Sequence, residues 1–193
     1  MKISLGVVLV ALVATACRAS SASPYAEHED APRDTSRAQE LSREAAGLIK
    51  SDPARAETLL RQALVADIFY GPAHNNLGVI HLGKDELYEA ANEFEWARKL
   101  MAGHPDPRTN LALTLERAGQ EERAISEYDA ALQVFPGYVP ALQGRTSLHL
   151  RRGGSVAEVE EALHDIALRG TSEEWRMWAR ERLAGNRPLE GQP

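Results

Sequence analysis

Asn76-Leu77 returns 34 residues later as Asn110-Leu111, and the same interval organises the middle of the chain. Ala90 returns as Ala124, Glu93 as Glu127 and Ala97 as Ala131, while Phe94 comes back as Tyr128 and Gly78 as Ala112. Taken in the other direction, the interval places Ala56, Leu60 and Ala63 before Ala90, Phe94 and Ala97. A fixed period of this length means that each stretch is one small unit, unable to bury its apolar face alone and stabilised by stacking on its neighbours.

Within a unit the spacing is helical. Ala90, Phe94, Ala97 and Met101 fall at i, i+4, i+7 and i+11, which gives one apolar stripe. The run holding Leu77, Gly78, Ile80 and Leu82 supplies a helix before it. GKDELY (Gly83 to Tyr88) and AGQEER (Ala118 to Arg123) are polar turns, and Pro105, Pro107, Pro136 and Pro140 are expected to stop helices between units. The unit is therefore a helix hairpin. Small residues at Gly78, Ala90, Ala112 and Ala124 let the two backbones approach, and Phe94 and Tyr128 fill the wedge toward the next hairpin. Only 6% of residues are aromatic, which suits helices better than a sandwich or barrel.

These residues resemble the tetratricopeptide repeat, whose pattern W-x₂-L-G-x₂-Y…A-x₃-F…P has a period of about 34 residues. His74, Leu77, Gly78, His81, Ala90 and Phe94 follow it with histidine at both leading aromatic sites. Arg108, Leu111, Ala112, Leu115, Ala124, Tyr128 and Pro136 follow it again. The likeness covers roughly residues 37–168 and is strongest over 71–136. The first unit (Leu41, Ala45, Leu48, Ile49) lacks the Leu-Gly pair, and the fourth has Arg145-Thr146 in its place, with a second helix from Val156 to Leu168 out of register. Degenerate outer units meet solvent. The resemblance implies an all-α fold, a tetratricopeptide-like right-handed solenoid of about four helix hairpins with a C-terminal capping helix, over 37–184. That last helix opens at Thr171 with Glu174 three residues on, a capping-box spacing, and aligns Trp175, Trp178, Ala179 and Leu183. Trp175 and Trp178 read either as the cap of the last hairpin or as a partner or dimer surface. Residues 185–193 are expected to be a disordered tail.

The chain opens with Lys2, an apolar run from Ile3 to Ala14, and small residues at Ala14 and Ala16, the pattern of a removed export signal over 1–16. About 14 apolar residues span about 21 Å as a helix, short of the ~30 Å hydrocarbon core. Cys17 is the only cysteine, so an intramolecular disulfide is excluded. Leu12 to Cys17, LVATAC, resembles a bacterial lipobox, which implies a diacylglyceryl group on Cys17 and a membrane-anchored protein. Ala14-Thr15-Ala16 equally fits ordinary signal cleavage, which leaves a soluble exported protein as the alternative. Arg18 after the cysteine implies the outer membrane in a Gram-negative host. Residues 17–36, rich in Ser, Ala, Pro and charge, read as a flexible tether whose ends lie roughly 25 Å apart.

No catalytic set converges in the sequence. The six histidines are scattered, no zinc-peptidase pair is present, and no glycine-rich phosphate loop follows a strand. His74 and His81 read as packing residues. The charge of −6 has no basic block, which argues against nucleic acid. Neither an enzyme nor a cofactor or metal is expected. What remains is a surface: the resemblance implies a concave groove lined by the first helix of each hairpin, receiving a peptide segment or helix of another protein. By register it takes Asn75, Asn76, Val79 and Leu82, then Thr109, Asn110, Leu113, Glu116 and Arg117, then Gln143, Ser147, Leu150 and Arg151.

Overall fold

A computed structural model describes residues 32–185. Among these, nine α-helices and one 3-10 turn are present and no strand. Four hairpins follow one another: α1 (Thr35–Leu48) with α2 (Pro53–Ala66), α3 (Gly71–Gly83) with α4 (Leu87–Leu100), α5 (Asp106–Arg117) with α6 (Glu121–Val134), and α7 (Val139–Arg151) with α8 (Glu160–Arg169). A 3-10 turn, Ala157–Val159, leads into α8, and α9 (Glu173–Gly185) packs on α8. The first helices α1, α3, α5 and α7 lie side by side, and each second helix packs on the first helix of the following hairpin. The all-α solenoid expected from the repeat is the fold observed.

The turn inside each of hairpins two to four is built the same way. Asp85, Gly119 and Gly153, spaced by the repeat, all take positive φ, at 63°, 73° and 85°. Around each, the chain closes with a pair of backbone bonds: Glu86 N to His81 O with Asp85 N to Leu82 O, Gln120 N to Leu115 O with Gly119 N to Glu116 O, and Gly154 N to His149 O with Gly153 N to Leu150 O. This left-handed cap satisfies carbonyls that the helix end leaves open, and glycine enters that conformation without the Cβ clash other residues meet.

The core repeats as well. Leu60, Phe94 and Tyr128, at one position of successive second helices, are almost fully buried, and buried alanines flank each one: Ala56 and Ala63, Ala90 and Ala97, Ala124 and Ala131. Small residues beside one large residue let the helices approach while the large side chain fills the gap. A Cβ on Gly78 would stand 2.6 Å from the Phe94 ring, so the close contact of α3 with α4 requires glycine there.

Several local expectations change. α1 begins at Thr35, inside the stretch read as tether, because Asp34 caps it by accepting from Arg37 N at 2.9 Å. Arg33 and Thr35 also fasten to the buried Asp67. Pro107 and Pro140 do not stop helices; they sit in the first turns of α5 and α7, where the missing N–H has no intrahelical partner to lose. The cap of α9 is Ser172, whose Oγ accepts from Trp175 N at 3.4 Å, whereas the Thr171 hydroxyl turns to Gln143. The expected second helix from Val156 opens instead with a capping box, in which Glu158 accepts from Ser155 N at 2.8 Å, and the α-helix starts at Glu160. Residues 1–31 and 186–193, with the export signal, Cys17, most of the tether and the tail, lie outside the described residues. No helix among the described residues is long and apolar enough to cross a membrane.

Candidate protein-binding face

The row of first helices presents the candidate groove, and its residues bond to one another at a constant offset. Asn110 Nδ2 donates to Asn75 Oδ1 at 3.0 Å, Arg117 Nη1 to the Leu82 carbonyl at 3.0 Å, and Arg151 Nη2 to Glu116 Oε1 at 2.8 Å. Each pair is separated by 35 residues, one more than the repeat. The extra residue has a geometric reason. Equivalent positions on parallel neighbouring helices point the same way, and one step along an α-helix turns the side chain by about 100°, toward the adjacent helix. The result is a polar ladder that ties hairpin two to three and three to four across the face.

Glu116 is the centre of the second rung. Its Oε2 accepts from the Tyr128 hydroxyl at 3.1 Å while Oε1 takes Arg151. Burial first, then the charge of Glu116 and the bond to it, push the Tyr128 hydroxyl far above its ordinary pKa, so it stays a donor. Arg117 completes the other rung by pairing with Asp85 at 2.9 Å. Both arginines of the face are thus matched by carboxylates. Leu113, 41% exposed, is the large aliphatic side chain the face leaves open, on the stripe between Asn110 and Glu116.

Three of the expected groove residues do not belong to an open surface. Leu82 is buried in the core shared by hairpins two and three. Thr109 is buried, with its hydroxyl donating to the Pro105 carbonyl at 3.0 Å. Gln143 is buried and accepts from Thr171 at 3.0 Å. In each case register alone put the residue on the face, and packing between hairpins covered it. Asn75, Asn76, Val79, Asn110, Leu113, Glu116, Arg117, Ser147, Leu150 and Arg151 remain at least partly accessible, Leu150 with one side against the C-terminal cluster.

Sequence places Tyr128 only as a wedge filler, without its bond to Glu116, and does not single out Asp85 or Gly144. Gly144 lies against Tyr128, and its position at the repeat offset from Asn76 and Asn110, in mid-helix, was the available signal. His74 and His81 are buried as expected of packing residues, yet both are also polar partners: His74 Nδ1 meets Glu93 Oε2 at 2.7 Å and Nε2 meets the Ile68 carbonyl at 2.7 Å, and His81 Nδ1 meets Glu86 Oε2 at 2.6 Å. The ring of His74 stacks on Trp96. One repeat on, Arg108 and Glu127 form the corresponding pair at 3.6 Å, so a nitrogen-to-carboxylate contact between first and second helix is itself periodic.

Trp175 and Trp178 pack edge-to-face, with centroids 5.2 Å apart, against a cluster containing Val159, Leu163, Ile166 and Ala179. Arg182 covers the Trp178 ring at 4.4 Å. This is the arrangement of a cap. Among the described residues, no group of three His, Cys, Asp or Glu side chains is placed to hold a metal ion.

This architecture is the tetratricopeptide-repeat fold. No protein-family model and no curated protein matches the chain. Among solved structures, the chain is similar to MamA, at 20% identity with a TM-score of 0.57, over 79% of this chain and 83% of that one. It is also similar to the first tetratricopeptide domain of Spaghetti (RPAP3) bound to the HSP90 peptide SRMEEVD, at 14% identity and a TM-score of 0.59, over 63% of this chain and 98% of that one. A third likeness is to the type III secretion translocator chaperone SycD of Yersinia enterocolitica, at 14% identity and a TM-score of 0.57, over 62% and 96% of the two chains.

Proposed function

We propose that this chain is an adaptor of the bacterial cell envelope, anchored by lipid on Cys17, that binds a segment of another protein along the face of α3, α5 and α7 and catalyses no reaction. The observation that carries the reading is the ladder: it holds three first helices in fixed register and leaves Leu113 open between polar groups that have hydrogen-bonding capacity to spare. Such a face offers one apolar anchor with amides and charges around it, which suits a peptide or helix better than a small metabolite. The RPAP3 domain of the same fold holds a peptide, and SycD is a chaperone, which supports the same use here.

Anchoring rests on LVATAC, and with Arg18 next to the cysteine the outer membrane is the favoured site in a Gram-negative host. A second reading has its own observation, the Ala14-Thr15-Ala16 sequence: a soluble periplasmic or secreted binding module with an unmodified Cys17. Intact mass of the protein recovered from its host separates the two. An acylated N-terminal Cys17 in the membrane fraction is expected, and an unmodified Cys17 in the soluble fraction would overturn the anchor.

A further inference from the structure

The turns at the seams between hairpins are not bridged alike. At the first, Lys84 reaches from the turn of hairpin two to Glu57 on α2 at 2.5 Å. At the third, Arg152, the next-but-one equivalent of Lys84, reaches from the turn of hairpin four to Glu122 on α6 at 2.5 Å and toward Glu121 at 3.7 Å. The hollow beside it, of about 530 Å³, is lined by polar groups including His149, Ser155 and Glu158.

At the second seam the bridging position is Ala118, and the positions of Glu121 and Glu122 are occupied by Leu87 and Tyr88. No ion pair crosses from the 118 position. A cavity of about 460 Å³ opens between α4, α5 and the start of α6, walled by Leu87, Ala91, Leu111, Leu115 and Ala118. This lies in the range of ligand pockets. Tyr88, 76% exposed, lines it. Two charged residues line the cavity. Glu95 is neutralised by Arg98 at 2.6 Å. Arg123 is exposed, donates to the neutral Gln120 amide oxygen at 2.5 Å, and among the described residues pairs with no carboxylate.

We infer that the second seam is a docking site, distinct from the face of the first helices, for a partner segment that inserts one aromatic or large aliphatic side chain between α4 and α5 and presents an adjacent carboxylate to Arg123. The walls supply the apolar slot, and Arg123 supplies the uncompensated positive charge. α5 serves both sites from opposite sides, with Asn110, Leu113 and Glu116 on one and Leu111, Leu115 and Ala118 on the other.

The test uses the full chain with ¹³C-labelled alanine methyls and two probes, acetyl-Phe-Glu-amide and acetyl-Phe-Gln-amide. The Ala91 and Ala118 methyls are expected to shift saturably with both. The Glu probe should bind about two- to fivefold more tightly, the span of one exposed charge pair. Arg123→Ala should erase that preference. The double variant Tyr88→Glu, Ala118→Arg installs the bridge of the third seam and should abolish the Ala91 shift, the remaining probe, with an unchanged melting temperature. If the double variant melts lower, Ala118→Arg alone, at an exposed turn position, is expected to abolish the Ala91 shift by steric closure. Absence of saturable shifts at Ala91 and Ala118 in the parent, an Ala91 shift that survives Ala118→Arg, or a preference that survives Arg123→Ala would each overturn the inference. So would shifts that track protein concentration without peptide, which would put a second copy in the slot.

Discussion

Tyr128 on α6 lies so close to Gly144 on α7 that a Cβ at residue 144 would stand 2.3 Å from its ring. The aromatic ring is 1% exposed and fixed at its far end by Glu116, so it has no room to retreat. Gly144→Ala is therefore expected to destabilise the protein by about 1–3 kcal/mol through overpacking, although alanine is the better helix former by about 1 kcal/mol. Thermal unfolding checks this, and an unchanged or raised midpoint would contradict the tight contact.

The three turn residues of positive φ give a backbone prediction with no packing component. A Cβ at Gly119 or Gly153 would meet no atom within 4 Å, so Gly119→Ala and Gly153→Ala introduce only left-handed strain. Each is expected to cost about 1–2 kcal/mol in denaturant midpoint experiments. Gly83→Ala, where a Cβ also meets nothing and φ is helical, serves as the control and is expected to be neutral or mildly stabilising.

Asp67 links acidity to the fastening of the first helix. Burial pulls its carboxyl upward, but the Thr35 hydroxyl, the Arg33 guanidinium and the Phe69 amide together outweigh that and hold it below its ordinary value. A carboxyl with a lowered folded pKa contributes stability that is complete above its unfolded pKa, about 3.9, and is lost as pH falls through the folded value. Asp67→Asn should accordingly be less stable than the parent at about pH 7, with the difference shrinking below about pH 4. Urea midpoints across that range provide the measurement; a difference that grows on acidification would contradict the assignment.

The tryptophan pair separates capping from self-association. Trp175 and Trp178 are half-buried against α8, so Trp178→Ala should lower stability by about 2–4 kcal/mol, at the lower end of values for fully buried aromatics. Light scattering should give the same mass for parent and variant. A parent dimer that Trp178→Ala converts to monomer would assign the pair to an interface instead.

The hairpins were legible from sequence because the repeat is carried by residues whose size matters: Ala90, Phe94, Ala97 and their equivalents are buried positions of α2, α4 and α6. Cap positions were read less well. Thr171 and Ser172 are both good caps by type, and choosing between them depends on whether Thr171 is drawn to Gln143, a contact 28 residues away. The groove was legible as a row of helices and misread in three of its members, since register says which side of a helix a residue occupies but not whether a neighbouring element covers it. Leu82 and Gln143 share the row with open residues and are sealed by neighbours that differ from unit to unit. The ladder offset and the Glu116 rung depend on how parallel helices face one another, a relation between units rather than within one.

The central claim is that the face of α3, α5 and α7 receives another protein. Photo-crosslinking groups placed singly at Leu113 and Ser147 on that face, and at Ser126 on the exposed side of α6, test it most directly in the native host. The account predicts that Leu113 and Ser147 capture the same partner, that Ser126 does not, and that Leu113→Glu abolishes capture from Ser147. Capture of that partner from Ser126 alone, or capture from Ser147 undiminished by Leu113→Glu, would contradict it.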